Sequence, residues 1–250
     1  MERSTIQRVA QEFWESVGDP EPFPRDLEAA VLWALPLAVF KVPRLWVSDV
    51  REWMLTRHIH FPFDASDRPL HGCLVARGGH GCVLLNGTDN EGELRFSLAH
   101  ESAHFILDYL RPRQRAAQRL GASILEVFDG LRPPTAQERT HAILSHLPIG
   151  FHTHLMERSG NGLMGCDQAG VSEGGADLLA LELLAPEVEV RLRVRHSRLT
   201  SRQQKLTEIA SQTLQRDFGL PSGIASGYAQ YLYPPVHSSS VREWLRQRDS

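Results

Sequence analysis

The five-residue motif His100-Glu101-Ser102-Ala103-His104 constrains the fold of this chain more than any other feature. On a helix, two histidines four residues apart share one face, separated by about 40° around the axis. Apolar flanks would bury that helix, and buried imidazoles and a carboxylate without partners would be costly. The motif therefore predicts a buried helix from about residue 93 to 110 that carries a metal site. The flanking apolar residues are Leu94, Phe96, Leu98, Ala99, Phe105, Ile106 and Leu107.

Zinc chemistry follows from the residue types in this motif. Two imidazoles at this spacing can bind one Zn²⁺ ion, each at about 2.1 Å. Glu101 lies about 100° from His100 around the helix, so it can reach the water molecule that the metal activates without being a ligand itself. We therefore expect His100 and His104 as ligands and Glu101 as the general base.

The third ligand is open on spacing alone, because a catalytic zinc usually has three protein ligands and one position for water. We favour Glu173, since it opens a helix with small residues on its own face that permit close approach to the metal helix. On that same face, Asp177 could accept a hydrogen bond from a ligand histidine. An ordinary first-turn acid is the alternative explanation for Glu173. The candidates are Asp108, His141, His146, His152, His154, Cys166, Asp167 and Glu173.

Three segments resemble the ImmA/IrrE family of metallopeptidases. Residues 95–104, RFSLAHESAH, are similar to its RFTLAHELGH segment, and residues 173–186 are similar to its E..AN.FAA.LLMP helix in matching register. Residues 81–86 resemble its ILIN strand, which precedes the metal helix. The spacing from Glu173 to Asp177 is also similar to that of thermolysin-like zinc enzymes, in which the glutamate is a ligand and the aspartate supports a histidine.

This resemblance implies an α+β, mostly helical, zincin-like fold with a small β-sheet packed on the HExxH helix and a helical C-terminal segment. It implies Glu173 as the third ligand of Zn²⁺, with Mn²⁺ as an open alternative. It also implies an endopeptidase that cleaves a helix-turn-helix transcriptional repressor in a stress or mobile-element response. The sequence departs from the family at Ser102-Ala103, at Glu182 and at Ala185, and residues 105–172 form an unusually long separation of 68 residues.

That separation includes an insertion, about residues 111–170, with further histidines. Residues 148–172 are rich in glycine and polar residues and are predicted to form a loop. His152 and His154 could supply a transition-state donor or a lid, as could Tyr109, although exposed polar histidines are the commoner explanation. A peptide substrate could pair with an exposed edge strand such as 81–86, unless that strand is internal.

Periodicity and turn residues predict the remaining organisation. Short helices are expected over 5–17, 26–40 and 48–58, then a hairpin of strands 70–76 and 81–86. Further helices are expected over 113–130, 135–147, 172–184, 203–217 and 222–232. We divide the chain into a helical N-terminal extension (1–44), a metallopeptidase domain (45–190), a helix-turn-helix-like segment (191–235) and a tail (236–250).

Composition limits the setting in which the protein works. The net charge of −3 gives no strong field for nucleic acid or an anionic membrane, so direct DNA binding is not expected. An odd number of cysteines, three, without a CxxC pair makes a disulfide framework unexpected, and together with the lack of a signal-peptide pattern this predicts a cytoplasmic protein. The longest apolar run, Ala29–Phe40, contains Pro36 and is too short to span a bilayer.

A rival hypothesis is a non-catalytic DNA- or protein-binding regulator with a structural metal site and a basic segment, 191–205, that binds the partner. Glu101 favours catalysis, because a structural site has four protein ligands and does not need a base.

Overall fold

The computed structural model describes residues 2–18, 22–62, 66–145, 151–157, 171–200 and 206–234, without the side chains of 141–145, 171–173 and 198–200. The fold is α+β and mostly helical, with one small mixed sheet. The helices are α1 (Arg3–Val17), α2 (Leu27–Ala34), α3 (Val47–Leu55), α4 (Glu91–His104), α5 (Arg111–Leu120), α6 (Ile124–Phe128), α7 (Ala136–Ser145), α8 (Val171–Leu184), α9 (Glu187–Thr200), α10 (Leu206–Phe218) and α11 (Ser222–Leu232).

The four strands β1 (Leu37–Val42), β2 (Leu70–Arg77), β3 (His80–Asn86) and β4 (His152–Glu157) form a sheet in the order β1-β3-β2-β4. β1 runs parallel to β3, whereas β2 is antiparallel to both β3 and β4. β2 and β3 form the predicted hairpin. Since β3 pairs on both sides, the expectation that strand 81–86 is an exposed edge is wrong, and β4 lies at the edge beside β2.

The two faces of the sheet are covered by different helices, as the alternation of side chains along the strands requires. Leu74 and Val83 belong to the main core, which also contains Leu98 of α4 and Ala180 of α8. Their neighbours along the strands pack instead in a second cluster with α3. Apolar side chains therefore cover both faces of the sheet. The metal-motif helix α4 packs against the face that carries Leu74 and Val83. The second cluster consists of Leu45, Val47, Val50, Met54, Leu70, Cys73, Val75 and Leu84.

The start of α4 is fixed by a reciprocal cap. Asn90 Oδ1 accepts a hydrogen bond from the Glu93 backbone N–H at 3.0 Å, and the Glu93 carboxylate accepts one from the Asn90 N–H at 3.1 Å. Such a capping box satisfies two backbone donors that the helix itself leaves unpaired. After His104 the helix continues as a π-helical segment, Phe105–Leu110, a widening that is frequent at functional sites.

Helices from both ends of the chain pack against α4 and α8 and hold them in place. The indole of Trp14 in α1 donates to the carbonyl of Leu183 in α8 at 3.2 Å. The guanidinium of Arg95 in α4 donates to the carbonyls of Phe218 and Arg25, at 3.0 and 3.1 Å. The hairpin of α10 and α11 is therefore part of the packing around α4.

Three local predictions need correction. Residues 113–130 are not one helix, because α5 ends at Leu120, with Gly121 as its C-cap, and α6 begins at Ile124. Residues 26–40 are not one helix, because Pro36 ends α2 and the following Leu37–Val42 pairs with β3 as strand β1. The predicted N-terminal extension thus contributes a strand to the sheet. Residues 148–172 are not simply a loop, because His152–Glu157 pairs with β2. The predicted helix over 93–110 is confirmed in position but becomes π-helical after His104.

Within the described ranges, no helix is both long enough and apolar enough to cross a membrane.

Candidate metal centre

The two histidines of the motif lie side by side on the face of α4 that meets α8. Their Nε2 atoms are 3.1 Å apart, and their ring centroids are 4.7 Å apart. Both side chains are buried. Two nitrogen ligands at about 2.1 Å from a tetrahedral zinc ion are about 3.4 Å apart. The spacing of the two Nε2 atoms therefore suits a shared metal ion.

Each of these histidines has a carboxylate at its other ring nitrogen. His100 Nδ1 lies 3.0 Å from Asp177 Oδ1 on α8, and His104 Nδ1 lies 2.7 Å from Asp108 Oδ2 on the π-helical segment. A carboxylate at Nδ1 fixes the tautomer, so that Nε2 presents its lone pair, and raises the basicity of the ring. Asp177 and Asp108 thus occupy equivalent positions beside the Nδ1 atoms of His100 and His104.

A third histidine enters the site from the edge strand β4. His154 Nδ1 lies 3.1 and 3.0 Å from the two carboxylate oxygens of Glu101, and its ring stacks on His104 with centroids 3.7 Å apart. His100, His104 and His154 each offer a ligand atom, and these atoms all lie within 4.8 Å of one another. The three histidines are thus close enough to bind a metal ion.

Glu101 is fully buried between α4 and β2. A Cβ placed on Gly72 of β2 would lie 3.2 Å from Glu101 Cγ, so the strand approaches the carboxylate closely at a residue without a side chain. Burial alone would raise the pKa of Glu101, but the hydrogen bond and charge of His154, together with His100 and His104, outweigh it. The net result is a pKa below the usual value, which keeps the carboxylate ionised.

The charge balance of the site favours a cation. The carboxylates of Glu101, Asp108 and Asp177 all lie within 3.1 Å of a histidine nitrogen. Three carboxylates beside three imidazoles need a compensating positive charge, which either protonated histidines or a bound cation would supply. Imidazole ligands backed by carboxylates are a donor set that zinc accepts readily.

The other predicted site residues have different positions. Glu173 lies in the first turn of α8, but its side chain is outside the described residues, as are the side chains of His141, His146, Cys166 and Asp167. The ligand role of Glu173 therefore stays a prediction.

Tyr109, on the π-helical segment, and His152, at the start of β4, lie beside the centre. The Tyr109 hydroxyl accepts a hydrogen bond from the Gly79 backbone N–H at 2.9 Å, so this phenol anchors the turn between β2 and β3. The ring of His152 lies 6.1 Å from that of Tyr109, and burial lowers the pKa of this histidine. Neither side chain belongs to the three-histidine group.

The strand that carries His154 lies in a segment that was predicted to be a loop, although its sequence contains a signal for a strand. His152-Thr153-His154 alternates in the period of a strand, so both histidines point to the same face of the sheet. Gly72, in contrast, is marked by no sequence motif, because its role depends on the approach of β2 to Glu101.

A scan against protein-family models finds no match to this chain, and a search of curated proteins also finds none.

Proposed function

We propose that this protein is a zinc-dependent endopeptidase of the zincin type, related to the ImmA/IrrE family. The observation that carries the proposal is the convergence of His100 and His104 Nε2 atoms, 3.1 Å apart, beside the fully buried carboxylate of Glu101. A merely structural helix would not need an ionised glutamate at 0% exposure next to two histidines.

A bound zinc ion would supply the Lewis acidity that activates a water molecule and polarises the peptide carbonyl. Glu101 would accept the proton of the attacking water and deliver it to the amine that leaves. The close approach of Gly72 holds the Glu101 carboxylate in position. Asp108 and Asp177 would keep His104 and His100 in the tautomer that presents Nε2.

Peptide binding is best placed at β4. Within the described residues this strand pairs only with β2, so its other edge can accept an extended peptide by β-addition. His154 lies in the middle of the strand, opposite Leu74, and reaches Glu101. A peptide added to β4 would therefore pass close to the proposed general base.

The substrate class rests on the family resemblance. We propose a helix-turn-helix transcriptional repressor, cleaved in a stress or mobile-element response, as the protein partner.

Two arginines in the described part of the basic segment already have protein partners, which disfavours their use in direct DNA binding. Arg191 pairs with Glu187 at 2.6 Å and donates to the carbonyl of Leu232, and Arg193 lies 3.9 Å from Asp217. These two arginines serve the packing of α9 against its neighbours.

The test compares the wild type, Glu101→Gln and the control Glu208→Gln, an exposed glutamate on α10. Each is stripped with a chelator, reloaded with Zn²⁺ or Mn²⁺, and incubated with a repressor encoded beside its gene. We expect Glu101→Gln to bind metal but lose cleavage by at least about 100-fold, the lower range for loss of a general base, while Glu208→Gln cleaves normally.

Equal cleavage by wild type and Glu101→Gln would refute the mechanism. A wild type that binds zinc with four protein ligands and cleaves no repressor would instead favour the binding-module hypothesis.

A further inference from the structure

A groove of about 720 Å³ lies between α1 and the junction of α8 with α9, and it contains none of the residues of the metal centre. One helical stripe of α1 forms its first wall, and Glu182, Pro186 and Val188 form the second. Arg25, from the segment between α1 and α2, lines it as well. Small-molecule sites typically measure about 300–1,000 Å³, so the groove has a suitable size. The stripe of α1 consists of Gln7, Ala10, Gln11, Trp14, Glu15 and Gly18.

The apolar surface of the groove is held in place. Trp14 is buried, and its indole N–H donates to the Leu183 carbonyl at 3.2 Å, so the ring has a fixed orientation. Ala10 is small and buried, whereas Val188 on the second wall is 63% exposed. A flat apolar body that fills the groove would therefore contact an ordered aromatic ring and remove an exposed valine from water.

The guanidinium of Arg25 is the charged group of the groove that lacks a partner. Its central carbon lies 4.7 Å from the ring centroid of Trp14 and 4.3 Å from that of Phe23, so two aromatic rings hold it by cation–π contact. Its Nε is buried without a hydrogen-bond partner, and none of the ion pairs within the described residues includes it. The charge of Glu189 offsets only part of the desolvation that lowers the pKa of Arg25. A positioned guanidinium with an unused donor suits a carboxylate.

The two carboxyl groups in the groove are already engaged. Glu15 accepts a hydrogen bond from Gln11 Nε2 at 2.7 Å, and Glu182 accepts one from the Glu187 N–H at 3.3 Å. Burial also raises the pKa of Glu182 to about 7, so at mildly acidic pH this group is largely protonated and repels an anion little.

We propose that this groove binds a small organic acid whose flat aromatic body lies against Trp14 and whose carboxylate pairs with Arg25. The ligand would contact α8, the helix that also carries Asp177. The site is separate from the metal centre, so the proposal does not depend on the peptidase activity.

The test uses the full chain, with naphthoate as the probe and naphthamide as its neutral counterpart. Binding is measured by isothermal titration calorimetry at about pH 6, below the raised pKa of Glu182. Probe concentrations extend to about 5 mM, because a ligand of this size is expected to bind in the millimolar to micromolar range.

Two variants have matched controls. Arg25→Gln removes the charge, and its control is Arg57→Gln, because Arg57 also stacks on a tryptophan, Trp53, at 4.1 Å but lies outside the groove. Val188→Glu places a negative charge on the wall, and Leu192→Glu makes the same change one turn later on α9, outside the groove. These two α9 positions are 63% and 46% exposed, so neither substitution disturbs the core. Circular dichroism shows that each variant is folded.

We expect saturable binding of naphthoate, weakened at least about 10-fold in Arg25→Gln and in Val188→Glu, with changes below about twofold in the controls. Naphthamide should bind at least about 10-fold more weakly than naphthoate, because it lacks the charge that pairs with Arg25.

Four results would overturn the proposal. Naphthoate might fail to bind the wild type, or bind a folded Arg25→Gln or Val188→Glu as tightly as the wild type. Equal binding of naphthamide would show an apolar patch without a role for Arg25. Binding that begins only when residues 236–250 are removed would assign the groove to the chain's own tail. Should Arg25→Gln fail to fold, the exposed Val188→Glu and the comparison of the two probes still decide.

Discussion

Removal of the charge behind each ligand histidine should weaken metal binding while the ligands themselves remain. Asp108→Asn and Asp177→Asn keep the size of the side chain, but the neutral amide stabilises the cationic centre less. Loss of such a carboxylate costs about 10–100-fold in metal affinity, which corresponds to about 1.4–2.7 kcal/mol. Both carboxylates are about a third exposed, at 31% and 27%, so solvent screens part of the effect. We therefore expect losses near the lower end, about 10–30-fold for each.

The assay is a zinc competition titration with a chromophoric chelator, followed for both variants and for Asp26→Asn. Asp26 caps α2 by accepting a hydrogen bond from the Ala29 N–H at 3.0 Å, and asparagine caps equally well. This control makes the same chemical change away from the centre and should leave affinity unchanged. Affinities within twofold of the wild type for both Asp108→Asn and Asp177→Asn would refute the role of these carboxylates.

Three further changes test the scaffold around the centre. Asp89→Ala breaks a buried pair in which the Asp89 carboxylate lies 2.6 Å from His71 Nδ1. The free energy of unfolding, measured by urea titration, should fall by about 3–5 kcal/mol. A loss below about 1 kcal/mol would contradict this. Gly81→Ala would bring a Cβ within 2.8 Å of the Phe105 ring, so thermal unfolding should show a destabilisation of about 1–3 kcal/mol, and an unchanged midpoint would refute the close packing. Burial raises the pKa of Glu182 from 4.5 to about 7, so wild-type stability should fall as pH rises through that interval. Glu182→Gln should therefore match the wild type near pH 5 and exceed it by roughly 1–2 kcal/mol at pH 8 after allowance for partial exposure, whereas a pH-independent difference would argue against the shift.

The parts of the fold that local sequence determines were predictable. The helix of the metal motif follows from its apolar flanks and from the cap of Asn90 with Glu93, which lie within one turn of each other. The hairpin follows from the glycines between two apolar strands. Helical spacing likewise predicted that Asp177 could approach a ligand histidine, and Asp177 lies 3.0 Å from His100 Nδ1.

The parts that depend on pairing between distant strands were not predictable. β1 follows Pro36 in an apolar run, and such runs do not distinguish a helix from a buried strand. β3 became central because β1 joins it from the N-terminal segment in parallel, a pairing without local signal. The strand of His154 lies in a polar, histidine-rich stretch, so its composition favours a loop until β2 provides a partner.

The position of β4 links the three-histidine group to the proposed site of peptide binding. Adjacent strands lie about 4.8 Å apart, so a peptide added to the outer edge of β4 would have its backbone at about that distance from the His154 backbone. The histidine side chain points toward α4, and Glu101 is within 3.1 Å of it. A strand that both carries His154 and pairs with the substrate would fix the peptide relative to the base without a separate loop.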